Sequence, residues 1–233
     1  MRIHKQLKWR LIFMNNYFHH WLGLMMFPVL IFSWVQAQNS YFEGTIKYNI
    51  EYDGKAADVL MLNKPCIRMD MHFKDNNFII HTYEGQLPKT RLYIADSSEM
   101  YILDLGNQVA YRRDRLEDTS KVIEPPRAHL TGDTAIVAGL KCLVYKVSKA
   151  KEITLYYVHD SIRVNTNLFK GKKDAQMNFL TEGLEGRIPL KTVRRTPDIT
   201  ITTTAVQVIP RKFKMDQFRI PAGTQIKPRD NRM

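Results

Sequence analysis

The chemistry this chain could perform rests on a few side chains, because it has seven histidines and two cysteines. His72 and His81 flank the turn Lys74-Asp75-Asn76-Asn77, and Asp70 shares a face with His72 if the stretch is a strand. Folded as a hairpin, Asp70, His72 and His81 could lie on one side, and two histidines with a carboxylate suffice for a metal ion. Neither histidine belongs to a tight ligand spacing such as H-x-x-x-H, so the expectation is a polar sheet face without a metal or cofactor. The run His159-Asp160-Ser161 holds the letters of a hydrolytic triad. Neighbouring residues on a strand point to opposite faces, so the three cannot converge by themselves. No G-x-S-x-G, H-E-x-x-H, P-loop or dinucleotide fingerprint is present. The expectation is a protein that is not an enzyme.

Cys66 and Cys142 are the two cysteines. An even count in an exported chain is compatible with a disulfide, and two separate core thiols are equally compatible with it. Either cysteine as a nucleophile would need a base and an electropositive niche, for which Lys141 alone is thin support. The apolar side chains are more informative. Tyr48, Met61, Met69, Met71, Tyr93 and Tyr101 are candidates to line a site for a hydrophobic ligand, since thioethers and aromatics adapt to irregular apolar shapes. The same residue types also make an ordinary core.

The elements that must position these residues are strands. Phe42 to Tyr52 alternates strictly, with Phe42, Ile46, Tyr48, Ile50 and Tyr52 on one side and Glu43, Thr45, Lys47, Asn49 and Glu51 on the other. Further strands are expected near 57–63, 66–73, 77–83, 90–96, 99–105 and 108–113, with turn signals about every ten residues, the rhythm of an antiparallel meander. Residues 114–131 break it with charges and Pro125-Pro126. A hairpin about Ala138-Gly139-Leu140 follows, then strands over 152–158, 187–193 and 199–209, and a closing segment 213–221. Residues 166–186, with Lys170, Lys172 and Lys173, leave room only for a short helix. Nothing sustains a long amphipathic helix.

The first residues bear on location. Arg2, Lys5, Lys8 and Arg10 precede an apolar run, 21–35, that contains Pro28 and ends in Val35-Gln36-Ala37. This is the pattern of a signal peptide over 1–37, cleaved after Ala37, and the run is short for a spanning helix. One β-rich domain, 38–233, remains. The whole chain has a formal charge of +12, and the leader carries four of its basic residues and no acidic one, so 38–233 carries +8. That balance favours an anionic partner. Export points to the envelope for that partner, and the scattered basic residues match no nucleic-acid motif. The strands are too short and too often charged, as at Arg68, Asp70, Lys146 and Lys191, for a transmembrane barrel.

Two resemblances follow from these residues. Thr131-Gly132-Asp133-Thr134, the Ala138-Gly139-Leu140-Lys141-Cys142 turn, Ile153 to Val158 and the ending Phe218-Arg219-Ile220-Pro221-Ala222-Gly223 resemble a family of exported proteins of unknown function common in Bacteroidota. Lys64-Pro65-Cys66-Ile67-Arg68-Met69-Asp70, followed by residues 94–114, is more faintly similar to the periplasmic lipoprotein-carrier (LolA/LolB-like) half-barrels, in which a sheet curls about a hydrophobic cavity. Those carriers begin with a helix that plugs the cavity, whereas here the chain enters a strand almost at once. The resemblances imply an all-β fold with minor α, an antiparallel curved sheet as a half-barrel or open barrel. They imply a periplasmic protein, with or without association with the outer membrane, that binds a lipid or a lipoprotein acyl chain. The alternative is an envelope structural or protein-interaction module with a filled core. Neither supplies catalytic residues.

Overall fold

The alternation that begins at Phe42 is realised as strand β1 (Gly44–Asp53), whose Ile46 and Tyr48 are buried while Glu51 is exposed. The computed structural model describes residues 41–63, 65–84, 87–97, 99–113, 127–165 and 183–228. The expected leader with its cleavage site, most of the Pro125-Pro126 break and the Lys170–Lys173 segment lie outside these residues.

A meander follows β1: β2 (Arg68–Lys74), β3 (Asn77–Glu84), β4 (Leu87–Ile94), β5 (Glu99–Asp104) and β6 (Val109–Arg113). A second run comprises β7 (His129–Val137), β8 (Leu140–Lys149), β9 (Glu152–Arg163), β10 (Arg187–Arg195) and β11 (Thr200–Pro210), and β12 (Gln225–Pro228) closes the chain. The twelve strands of the described residues form one sheet in the order β12-β6-β5-β4-β3-β2-β1-β11-β10-β9-β8-β7. The two runs are joined at the centre, where β1 pairs antiparallel with both β2 and β11. The sheet curls enough for β7 to approach β11, yet the end strands β12 and β7 are not paired, so it stays open. This is the expected curved, open antiparallel sheet with little helix.

Turn chemistry sets the register. Asp75-Asn76 and Ala138-Gly139 each form a two-residue hairpin loop with both residues at positive φ, the twist that matches paired strands. Register then fixes which residues share a face. Ile46, Tyr48, Met69, Met71, Phe73, Phe78, Ile80, Tyr93 and Met100 lie on one face, here the inner face. They belong with Tyr156, Val158 and Leu190 to one apolar cluster, the core of the molecule. Phe78 stacks on Tyr93 at 4.8 Å, and Phe73 meets Phe42 edge-on at 5.9 Å.

One expected element differs. Residues 57–63 are not a strand: Ala57–Leu62 form a short helix, α1. They link β1 to its neighbour β2, so this segment returns the chain at the sheet end instead of adding a strand. The closing segment 213–221, for which the sequence names no element, lies outside the regular strands. From Arg211 the chain leaves the sheet as a strap, makes a single 3₁₀ turn at Met215–Phe218 against β3 and β4, and enters β12, which pairs parallel with β6.

Candidate functional site

The six candidate ligand residues do not form one site. Tyr48, Met71 and Tyr93 are 3–5% exposed within the core, and Met69 packs against it half-buried. The Tyr48 hydroxyl donates to the Pro189 carbonyl oxygen at 3.0 Å, and burial pushes its pKa well up. Tyr101 is on the opposite face: it stands in register with Leu92, while Met100 pairs with Tyr93. Its hydroxyl donates to Glu99 at 2.6 Å, and burial with that carboxylate raises it to about 12. Met61 lies on α1 and is half exposed.

Near Met61 in the sequence stand further exposed apolar residues, Val59 and Leu62 among them, that sequence reasoning passes over. Val59, Met61 and Leu62 on α1 and Ile67 just before β2 are 50–83% exposed. No residue of α1 is buried. The helix is held by its backbone: Ala56 N–H donates to Asp198 at 3.1 Å, and Leu60 N–H to Ala56. Behind it the Tyr52 hydroxyl donates to the Cys66 carbonyl at 2.9 Å, tying the end of β1 to the entry of β2. The signal in the sequence is the run Ala57-Asp58-Val59-Leu60-Met61-Leu62 itself, four large apolar residues in a row with no polar alternation.

The face opposite the core is also built, not merely solvated. Thr45, Asn77 and Thr90 are buried there, with Leu92, Tyr101 and Ala110. The strap covers part of it. Glu43 anchors the strap: its carboxylate accepts from Phe213 N–H at 2.7 Å, Lys212 Nζ at 3.0 Å and Lys74 Nζ at 3.1 Å. Burial works to raise the Glu43 pKa, but those three donors outweigh it and hold the carboxyl at about 2.

Asp70, His72 and His81 do come to one side, as the hairpin reading required, since Asp70 is directly opposite His81. His72 Nδ1 bonds Thr45 Oγ1 at 2.8 Å, and His81 Nδ1 bonds Thr90 Oγ1 at 2.9 Å. The rings meet edge to face at 5.3 Å, and His72 meets Phe213 of the strap at 5.6 Å. Tyr83 donates to Asp70 Oδ2, while Asp70 Oδ1 is buried with no hydrogen-bond partner among the described residues. Burial, then the neighbouring His81 and Arg211, lower His72 to about 4. Burial lowers His81 too, opposed by Asp70. Among the described residues no group of three histidine, cysteine or acidic side chains is arranged to hold a metal ion.

The remaining candidates separate. His159 Nδ1 contacts Ser161 Oγ at 2.8 Å, two residues along the same strand, while Asp160 pairs with Arg187 Nε at 2.7 Å. Asp160 therefore cannot orient His159. Cys66 and Cys142 are both free, which corrects the disulfide alternative. β1, β11, β10 and β9 intervene between β2, which Cys66 precedes, and β8, which holds Cys142. Each thiol instead contacts a carbonyl two residues away, Arg68 at 3.1 Å and Leu140 at 3.5 Å.

No family model and no curated protein matches the chain. Among solved structures it is similar to PNGF-II in the C2 space group, with 13% identity, TM-score 0.45, and coverage of 81% of this chain and 31% of that one. It is similar to an uncharacterized conserved protein from Thermus thermophilus, with 8% identity, TM-score 0.48, and coverage of 80% and 91%. MucB in complex with MucA(peri) is similar at 13% identity and TM-score 0.40, with coverage of 78% and 57%. The chain thus spans about a third of the length of PNGF-II. Among the described residues no helix is long and apolar enough to cross a membrane.

Proposed function

We propose that the protein is a non-enzymatic envelope binding protein for a hydrophobic or amphiphilic ligand, a lipid or a lipoprotein acyl chain, received at the α1 end of the open sheet. The observation that carries this reading is the exposure of Val59, Met61 and Leu62 on a helix with no fully buried residue, and of Ile67 just after it, all within nine residues of sequence. Leaving such side chains in water costs about 1.5–3 kcal/mol each, which contact with an acyl chain recovers. The net positive charge adds attraction to anionic lipid.

The test is titration with a fluorescent fatty acid, alongside mass spectrometry of organic extracts of the purified protein. Wild type takes up the probe, and Leu62→Asp or Met61→Asp weakens uptake at least about tenfold with folding intact. Absence of uptake and of extracted lipid in the wild type defeats the reading. The second reading, a structural or protein-interaction module, then stands first. It is favoured by the burial of Tyr48, Met71 and Tyr93 in a packed core.

A further inference from the structure

The histidine pair and the strap meet at one place, and neither is used by the ligand reading above. The strap leaves β11 at Arg211, whose guanidinium lies 4.0 Å over the Phe213 ring. Phe213 in turn abuts both His72, at 5.6 Å, and Phe218, at 5.3 Å. Beyond Phe213 the contacts of the strap with the sheet include Asn77 Nδ2 to Met215 Sδ at 3.8 Å and Gln225 N–H donating to the Gln108 carbonyl at 2.9 Å, where the four-residue edge strand β12, exposed along its length, pairs with β6. Phe218, 1% exposed, is the apolar peg of this span.

The charges facing the two rings come from every element around them. β1 contributes Lys47 beside Thr45, β2 contributes Asp70, and β3 contributes Tyr83, whose ring carries the Arg68 guanidinium at 3.8 Å. β4 contributes the Thr90 hydroxyl, and the strap contributes Arg211. A proton on His72 therefore adds positive charge near Lys47, Arg211 and the second histidine, with Asp70 as the opposing carboxylate; His81 has Asp70 directly opposite.

We propose that the strap is an acid-released latch: protonation of His72 and His81 drives the Phe213 ring and residues 214–228 off the sheet and uncovers the β3–β4 surface on which Phe218 is seated. The direction follows from proton linkage. His72 in the latched form sits at about 4, below its ordinary 6.5. Between those values the released form binds more protons, so latching is complete above about pH 6.5 and weakens as pH falls toward 4. The full span is worth on the order of a hundredfold in the latched-to-released ratio. Glu43, held at about 2, keeps its grip on Phe213 N–H through that range, so the strap pivots where it leaves β11 while the sheet persists.

The experiment is amide hydrogen exchange of the full chain at pH 7 and pH 5, expressed as protection after correction for the intrinsic pH dependence of exchange. Protection over 215–228 is expected to fall at least about tenfold while the centres of β1 and β11 hold. His72→Gln/His81→Gln, which keeps a hydrogen-bonding side chain opposite each threonine, should abolish the difference. Histidine ring NMR provides an independent reading that does not depend on the variant folding. A His72 ring still neutral at pH 5 in the latched form supports the proposal, and a ring titrating at the ordinary value overturns it. Strap protection that is unchanged with pH, that falls only together with β1, or that responds identically in the double variant overturns it as well.

Discussion

The inner face of β1–β4 and the α1 end of the same sheet are made from the same kinds of residue and have opposite fates. Met71 and Phe73 are buried among Ile46, Phe78 and Ile80. Met61, Leu62 and Ile67, a few positions earlier in the chain, face outward. The difference is pairing. Residues 68–74 are clamped in register between β1 and β3, whereas residues 57–62 close on themselves as one short helix and have no sheet to lie against. Apolar composition says that a surface wants to be covered, and topology decides whether the chain itself does the covering.

The strongest way to break this comparison is to place the same charge in both regions. Met71→Asp puts a carboxylate into a closed apolar cluster, a penalty of several kcal/mol against a total stability of about 5–15 kcal/mol, and the protein should fail to fold. Met61→Asp should shift the denaturation midpoint negligibly, because the side chain is already in water. Circular dichroism and denaturant titration of the pair measure the contrast. If both variants unfold, α1 is packed like the inner face and the ligand reading loses its surface. Truncation gives the next largest contrast. Phe73→Ala should cost about 3–5 kcal/mol and Leu62→Ala less than about 0.5 kcal/mol, read from the same titrations.

Glu43 offers a third and smaller contrast, between the strap and the sheet it crosses. Glu43→Ala removes three charge-assisted or backbone hydrogen bonds and leaves Lys74 with its exposed neighbour Asp75. A loss of about 2 kcal/mol is expected. The carboxyl is held at about 2 in the fold, below its ordinary 4.5. Its contribution is therefore present above pH 4.5 and lost as pH falls toward 2. Wild-type stability should decline through that window more steeply than that of the variant. A variant with the same acid profile as wild type would show that the carboxylate does not anchor the strap.

What is legible in the sequence follows the same division. Period-two alternation marks β1 because one face of that strand is buried along half its length, and Asp75-Asn76 and Ala138-Gly139 mark tight hairpins through their turn chemistry. α1 reads as a strand in the sequence because a helix with no buried face leaves no 3.6-residue pattern to find. Tyr93 and Tyr101 group as one lining because alternation orders residues within a strand, while their opposite faces depend on the pairing of Leu92 with Tyr101. Glu43 and Thr45 alternate onto a solvated side, yet the strap covers that side from far along the chain. Thr45 is buried there beside the His72 ring that Phe213 of the strap abuts, a contact set by the tertiary path of residues 211–228.

The smallest expected effect separates the two regions by their thiols. Cys66 lies beside α1 and is partly exposed, whereas Cys142 is fully buried in β8. They stand on opposite sides of β1, β11, β10 and β9, successive strands about 4.8 Å apart, beyond the reach of a disulfide. Burial pushes both thiols above their ordinary pKa, so neither is a ready thiolate at neutral pH. Unreduced, denatured protein should show two free thiols, and a reductant should leave the melting temperature within about 1 °C, since no bridge constrains the unfolded chain. Without denaturant, a thiol reagent should label Cys66 at least about tenfold faster than Cys142, whose reaction waits on opening of the sheet. Equal rates would mean that β8 opens as readily as the α1 end. A large reductant-induced drop in melting temperature would mean that the two halves of the sheet close on each other, and the open strand order would then be wrong.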